Sequence, residues 1–90
     1  MKALFVSNDF SIFDPGSATR ERMRSYAAAI GELHIVSRAP DGATEVTEGP
    51  LTLHPVVVGK LFYLGVIEKK IRELVIQHGI EVVSAQDPFE

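Results

Sequence analysis

Ala3-Leu4-Phe5-Val6, the loop Ser7-Asn8-Asp9-Phe10-Ser11-Ile12-Phe13-Asp14-Pro15-Gly16-Ser17, and the run from Ala18 to Ile30 together decide the fold. Four unbroken apolar residues leave no side to turn toward water. They predict a strand covered on both faces, as in a parallel sheet. Asp14, Pro15 and Gly16 are turn formers, and Ser17 is a suitable helix N-cap. From Ala18 the apolar positions Met23, Tyr26, Ala27 and Ile30 recur at the three-four spacing of one buried helical stripe. Gly31 is a natural residue to end that helix. Arg20, Arg22 and Arg24 fall off the stripe and read as a solvated surface.

Working outward, Leu33 to Val36 is a second apolar strand. Arg38 to Pro50 is polar and turn-rich, with a short edge strand around Glu45 to Thr47. Leu51 to Val58 is a third strand. Leu61 to Gln77 is a second helix, with Leu64, Ile67, Ile71, Leu74 and Val75 on one face and Gly79 after it. Ile80 to Ala85 is a fourth strand. The order β-α-β-β-α-β, with strands covered on both faces, predicts an α/β domain with a doubly wound, mostly parallel, Rossmann-like sheet. Counting the four strands in chain order, the simplest layout with right-handed crossovers is 3-2-1-4. A ferredoxin-like sheet shares the same string of elements but is antiparallel. The long polar middle and the apolar first and last strands favour the parallel form.

Ninety residues make one small domain. A net charge of −3 argues against a nucleic-acid coat, which needs a basic face, so no nucleic-acid partner is expected. The absence of cysteine excludes disulfides and thiolate metal sites and fits a reducing compartment. The apolar run after Met1-Lys2 is too short for a secretory signal. Leu51 to Ile67 is broken by Pro55, Gly59 and Lys60, so it is no transmembrane segment. A cytoplasmic location is expected. The terminal Asp87-Pro88-Phe89-Glu90 reads as the start of a further turn or helix, so the chain is expected to be the first part of a longer protein.

In a doubly wound sheet, ligands bind outside the carboxyl ends of the strands where the winding reverses. Two loops meet there, Asn8 to Ser17 and the stretch after Ala85. Gly16 and Ser17 at a helix N-terminus, with Thr19 and Arg20 in the first turn, make a candidate anion site. A capped helix after a turn is the plain alternative. Asn8, Asp9 and Asp87 at adjacent strand ends suit sugar hydroxyls, a metal or acid-base work, though Asp and Asn are also simply common in turns. Phe10, Ile12 and Phe13 must either fold back on the core or meet a partner. His34 and His54 fall in strands and His78 at a helix end; they share no metal-ligand spacing in sequence and read as structural. No metal or cofactor is signalled.

Lys2-Ala3-Leu4-Phe5-Val6-Ser7-Asn8, followed by Pro15-Gly16-Ser17-Ala18-Thr19-Arg20 entering a helix, resembles the opening of GT-B glycosyltransferases of the family-four, group-one type. Ile80-Glu81-Val82-Val83-Ser84-Ala85-Gln86-Asp87-Pro88 resembles that family's fourth strand. The family often has paired glycines where this chain has Gly16-Ser17, and commonly a histidine where it has Gln86. The resemblance implies that residues 1–90 begin the N-terminal, acceptor-side domain, with the donor domain lying beyond. It implies a hexosyltransferase using a nucleotide-sugar donor and a sugar or lipid-linked acceptor. Gly16, with Ser17 beside it, would face the donor diphosphate. Arg20 joins them on physical grounds, as a first-turn cation. Asn8, Asp9, Phe10, Phe13 and Asp87 would lie on the acceptor side. The catalytic residues would lie past Glu90, so this stretch alone is expected to be inactive and, with strands uncovered, to self-associate. A non-catalytic flavodoxin-like or receiver-like module is the alternative from another class.

Overall fold

The computed structural model of the chain describes residues 1–7, 10–57 and 63–85. Five strands form one sheet: β1 (Lys2–Ser7), β2 (Glu32–Arg38), β3 (Val46–Glu48), β4 (Leu51–Val56) and β5 (Val82–Ala85). Helix α1 (Ala18–Ile30) joins β1 to β2, and α2 (Tyr63–His78) joins β4 to β5. A 3-10 turn, Phe10–Phe13, precedes α1. The expected starts of α2 at Leu61 and end of the third strand at Val58 lie outside the described residues, as does Phe62.

The sheet order is β3-β4-β2-β1-β5. Pairing of β1 with β2, β1 with β5 and β2 with β4 is parallel, which removes the ferredoxin-like alternative. The four-strand order 3-2-1-4 needs correction. The sheet is mixed and five-stranded, because Gly49-Pro50 turns the chain sharply and pairs β3 antiparallel with β4. Gly49 takes φ 56°, a left-handed conformation that glycine adopts without a Cβ penalty. Residues 46–48 thereby become an edge strand with Glu48 opposite Leu51.

Side chains alternate along each strand, so β1 contributes to two cores. Ala3 and Phe5 pack with Leu33, Ile35, Leu51 and Leu53 against Met23, Ala27 and Ile30 of α1. Leu4 and Val6 pack with Val36 and Val56 against Ile67, Ile71 and Leu74 of α2. The helices thus cover opposite faces. Of the stripe expected on α1, Tyr26 remains 42% exposed but meets Phe5 edge-on, with ring centroids 6.4 Å apart. Val82 and Val83 of the edge strand β5 are also exposed. Among the described residues no helix is long and apolar enough to cross a membrane.

Leu53 is 1% exposed in the α1-side core. Leu53→Ala is expected to lower unfolding free energy by about 2–5 kcal/mol, through lost burial and the cavity left behind. Urea unfolding of the purified protein measures this, and a loss below about 1 kcal/mol would place Leu53 outside the packed core.

Candidate functional site

The carboxyl ends of β1 and β5 lie side by side, with Val6 opposite Ala85. The chain leaves β1 toward β2 and β4 on one side and reaches β5 on the other, so the winding reverses here. Ser7, the last residue of β1, is buried opposite Ser37 of β2. The loop that follows carries most of the sequence-predicted site. Asn8, Asp9 and Asp87 lie outside the described residues, as do Gln86 and Pro88. Phe10 opens the 3-10 turn.

Ile12 is 1% exposed and joins the α1-side core, and Phe13 packs partly buried against the same cluster. These two aromatic and aliphatic side chains therefore fold back rather than stand out as a free surface. The part of Phe13 that stays exposed lies on the loop expected to face the acceptor. Asp14 closes the turn: its Oδ1 accepts from Gly16 N–H at 3.1 Å and its carbonyl accepts from Ser17 N–H at 3.0 Å. Ser17 caps α1, its Oγ accepting from Arg20 N–H at 3.1 Å. Gly16 is exposed and its φ is not positive. A Cβ built there meets only Asp14 Oδ1, at an ordinary 3.8 Å. The fold itself therefore does not demand glycine at position 16.

Arg20 corrects the expectation of a free cation at the helix end. Its side chain is 2% exposed. Nη1 donates to the Ile12 carbonyl at 3.0 Å, and Nη2 donates to Glu48 on β3. Arg24 Nε donates to the other Glu48 oxygen at 2.6 Å, and Arg24 Nη2 donates to the Pro15 carbonyl at 3.0 Å. One carboxylate on the edge strand thus orients two arginines, and these hold the loop backbone at both ends of the turn. The reading of Arg20 as solvated surface fails for the same reason, whereas Arg24 stays 40% exposed. The partner, Glu48, comes from a strand that the spacing along α1 cannot reveal.

The three histidines converge at the other end of the sheet. Glu32 opens β2 opposite Lys2, at the amino ends of the strands. His34 and His54 lie on the α2 side of β2 and β4, and His78 ends α2. His34 Nε2 lies 2.8 Å from Glu32 Oε2, and His34 Nδ1 lies 2.9 Å from His54 Nε2. The His34 and His78 rings are 4.2 Å apart between centroids. His34 and His54 are 3% and 2% exposed. Burial pushes the His54 imidazole down to about 4, against the pull of the Glu45 charge, so it is neutral at pH 7. The hydrogen bond with His34 holds Glu32 below the usual carboxylate range. One ligand atom each from Glu32, His34 and His78 lies within 4.8 Å of the others. Linear spacing does not bring these histidines together, since they come from β2, β4 and the end of α2. The available signal was Glu32 and His34 two apart on one strand face, with His54 on the same face of the neighbouring strand.

No family model, curated protein or solved structure matches this chain.

Hydrogen bonds from Arg24 and then Arg20 hold the Glu48 carboxyl below its ordinary range. A carboxyl more acidic folded than unfolded stabilises fully above its unfolded pKa and loses that effect as pH falls through the folded value. Glu48→Gln is therefore expected to flatten the acid limb of a stability-versus-pH curve measured by urea unfolding from pH 7 downward. Parallel curves for the two proteins would remove Glu48 as the anchor. Arg20→Met is expected to cost about 1–3 kcal/mol, because it leaves the buried Ile12 carbonyl unpaired.

Proposed function

We propose that this chain forms the first part of the Rossmann-like, acceptor-side domain of a GT-B glycosyltransferase, which moves a sugar from a nucleotide-sugar donor to an acceptor. The reversal of winding between β1 and β5 carries this reading. It opens the loop after β1, with Gly16 and the capped end of α1, in the crevice where such sheets take ligands. A second observation supports it. Gly16 is not required by its own backbone or by its neighbours, so close approach of a ligand supplies a reason for a residue without a side chain.

In this reading the Gly16-Ser17 turn and the first turn of α1 form the wall facing the donor diphosphate. A helix N-terminus offers N–H groups with no partner four residues earlier and the positive end of the dipole. Arg20 and Arg24 act behind that wall as positioning residues, fixing the loop through Ile12, Pro15 and Glu48. Asn8, Asp9, Phe10 and Asp87 are proposed to face the acceptor, and Phe13 supports the loop from within. Catalysis would come from closure against a donor-binding domain, with fixed dipoles meeting the charge that develops on the leaving diphosphate. The 90 residues alone would be inactive and would self-associate along the exposed edge of β5.

A non-catalytic module is the second reading, because the Gly16 and Ser17 amides already bond to Asp14 and are not free for a diphosphate. Titrating uridine and guanosine diphosphates against the full-length product of the gene separates the two. Gly16→Ala is expected to leave stability unchanged or raise it by about 0.4–1 kcal/mol, since it only restricts the unfolded chain. Gly16→Val is expected to weaken diphosphate binding at least tenfold while the protein stays folded. Equal affinity in wild type and Gly16→Val would refute the phosphate-facing role. Absence of any diphosphate binding or sugar release from nucleotide sugars would refute the transferase.

A further inference from the structure

We propose that Glu32, His34 and His78 form a binding site for a divalent transition metal of the zinc type, with His54 orienting His34. The site lies at the amino ends of the strands, opposite the Gly16 loop, and does not depend on the function proposed above.

Glu32, His34, His54 and Glu45 lie in a row of three close contacts: 2.8 Å between Glu32 Oε2 and His34 Nε2, 2.9 Å between His34 Nδ1 and His54 Nε2, and 3.2 Å between His54 Nδ1 and Glu45 Oε2. His54 Nδ1 is buried without a hydrogen-bond partner, because its contact with Glu45 is too poorly aligned to count as one.

A cation between His34 Nε2 and Glu32 would take a lone pair from each and leave His34 Nδ1–H to donate to His54 Nε2. This is the arrangement of metal-bound histidines, whose second ring nitrogen donates to an outer partner. A third ligand is at hand, because the ligand atoms of Glu32, His34 and His78 all lie within 4.8 Å of one another. Tetrahedral zinc, with bonds of about 2.0–2.2 Å, holds its ligands roughly 3.3–3.5 Å apart. The pair at 2.8 Å must open slightly and His78 must move inward. Such movement is small for a residue at the last position of a helix, where Gly79 takes φ 66° immediately afterward. Histidine nitrogen and carboxylate oxygen suit zinc, nickel or copper better than calcium or magnesium. Glu32 and His78 are partly exposed, which provides an entry path. Three protein ligands leave a fourth position for water or an outside group. Bound metal would also fasten the last turn of α2 to β2.

The test uses the full-length protein and zinc alone, by competition with a chromophoric zinc indicator, together with cobalt as a spectroscopic substitute. The expected result is one equivalent of zinc bound, displaced cobalt d–d absorption of tetrahedral intensity, and a rise in melting temperature with zinc. Glu32→Gln and His78→Gln remove ligands at partly exposed positions and are expected to keep the fold. Each should weaken zinc at least tenfold and abolish the cobalt band. Gly16→Val should bind zinc as wild type does. No competition with the indicator would overturn the proposal. Zinc binding equal in wild type and in the Glu32→Gln/His78→Gln double variant would also overturn it, by placing the metal elsewhere on the surface.

Discussion

Parallel pairing of β1 along both of its edges is the constraint on which the rest of the structure depends. With β2 on one side and β5 on the other, neither edge meets solvent, and the alternating side chains must find cover above and below. Ala3 and Phe5 are covered on the α1 side, Leu4 and Val6 on the α2 side. Parallel neighbours need long crossovers, and the two helices supply both the crossovers and the cover. The same pairing sets the reversal of winding at β1, since β2 and β5 lie on its opposite sides.

The edge of the sheet governs the loop that leads into α1. A two-residue turn at Gly49-Pro50 returns the chain beside β4 and puts Glu48 at the end of β3. Its carboxylate receives Arg20 and Arg24, and their remaining donors reach Ile12 and Pro15. A short, partly exposed strand thereby determines the path of the segment that leads into α1. Exposed ion pairs contribute little singly, but Arg20 is almost fully buried, so its partners are needed to offset the cost of removing a guanidinium from water.

At the opposite end, polarity is buried within the α2-side core. His34 and His54 occupy positions where their strand neighbours on that face are Val36 and Val56. An unsatisfied imidazole there would be costly, and the contacts among the histidines and with Glu32 and Glu45 are what keep them in place.

The local sequence by itself determined the α/β class, the two helices and the positions of the strands. Apolar runs such as Ala3 to Val6 need cover on two faces wherever they are placed, and the stripe of Met23 and Ala27 needs a sheet beneath it. The turn chemistry of Asp14 to Ser17 and the serine cap were legible for the same local reason. The edge strand was visible in outline at residues 45–47, yet its place beside β4, which makes the sheet five-stranded and mixed, was not. Tertiary structure alone decided what the charged and titratable side chains do. Arg20 and Glu48 are 28 positions apart, and the histidines come from β2, β4 and the end of α2. Side-chain pairing acts over a few ångströms, and chain spacing carries no record of which distant residues the sheet register brings that close.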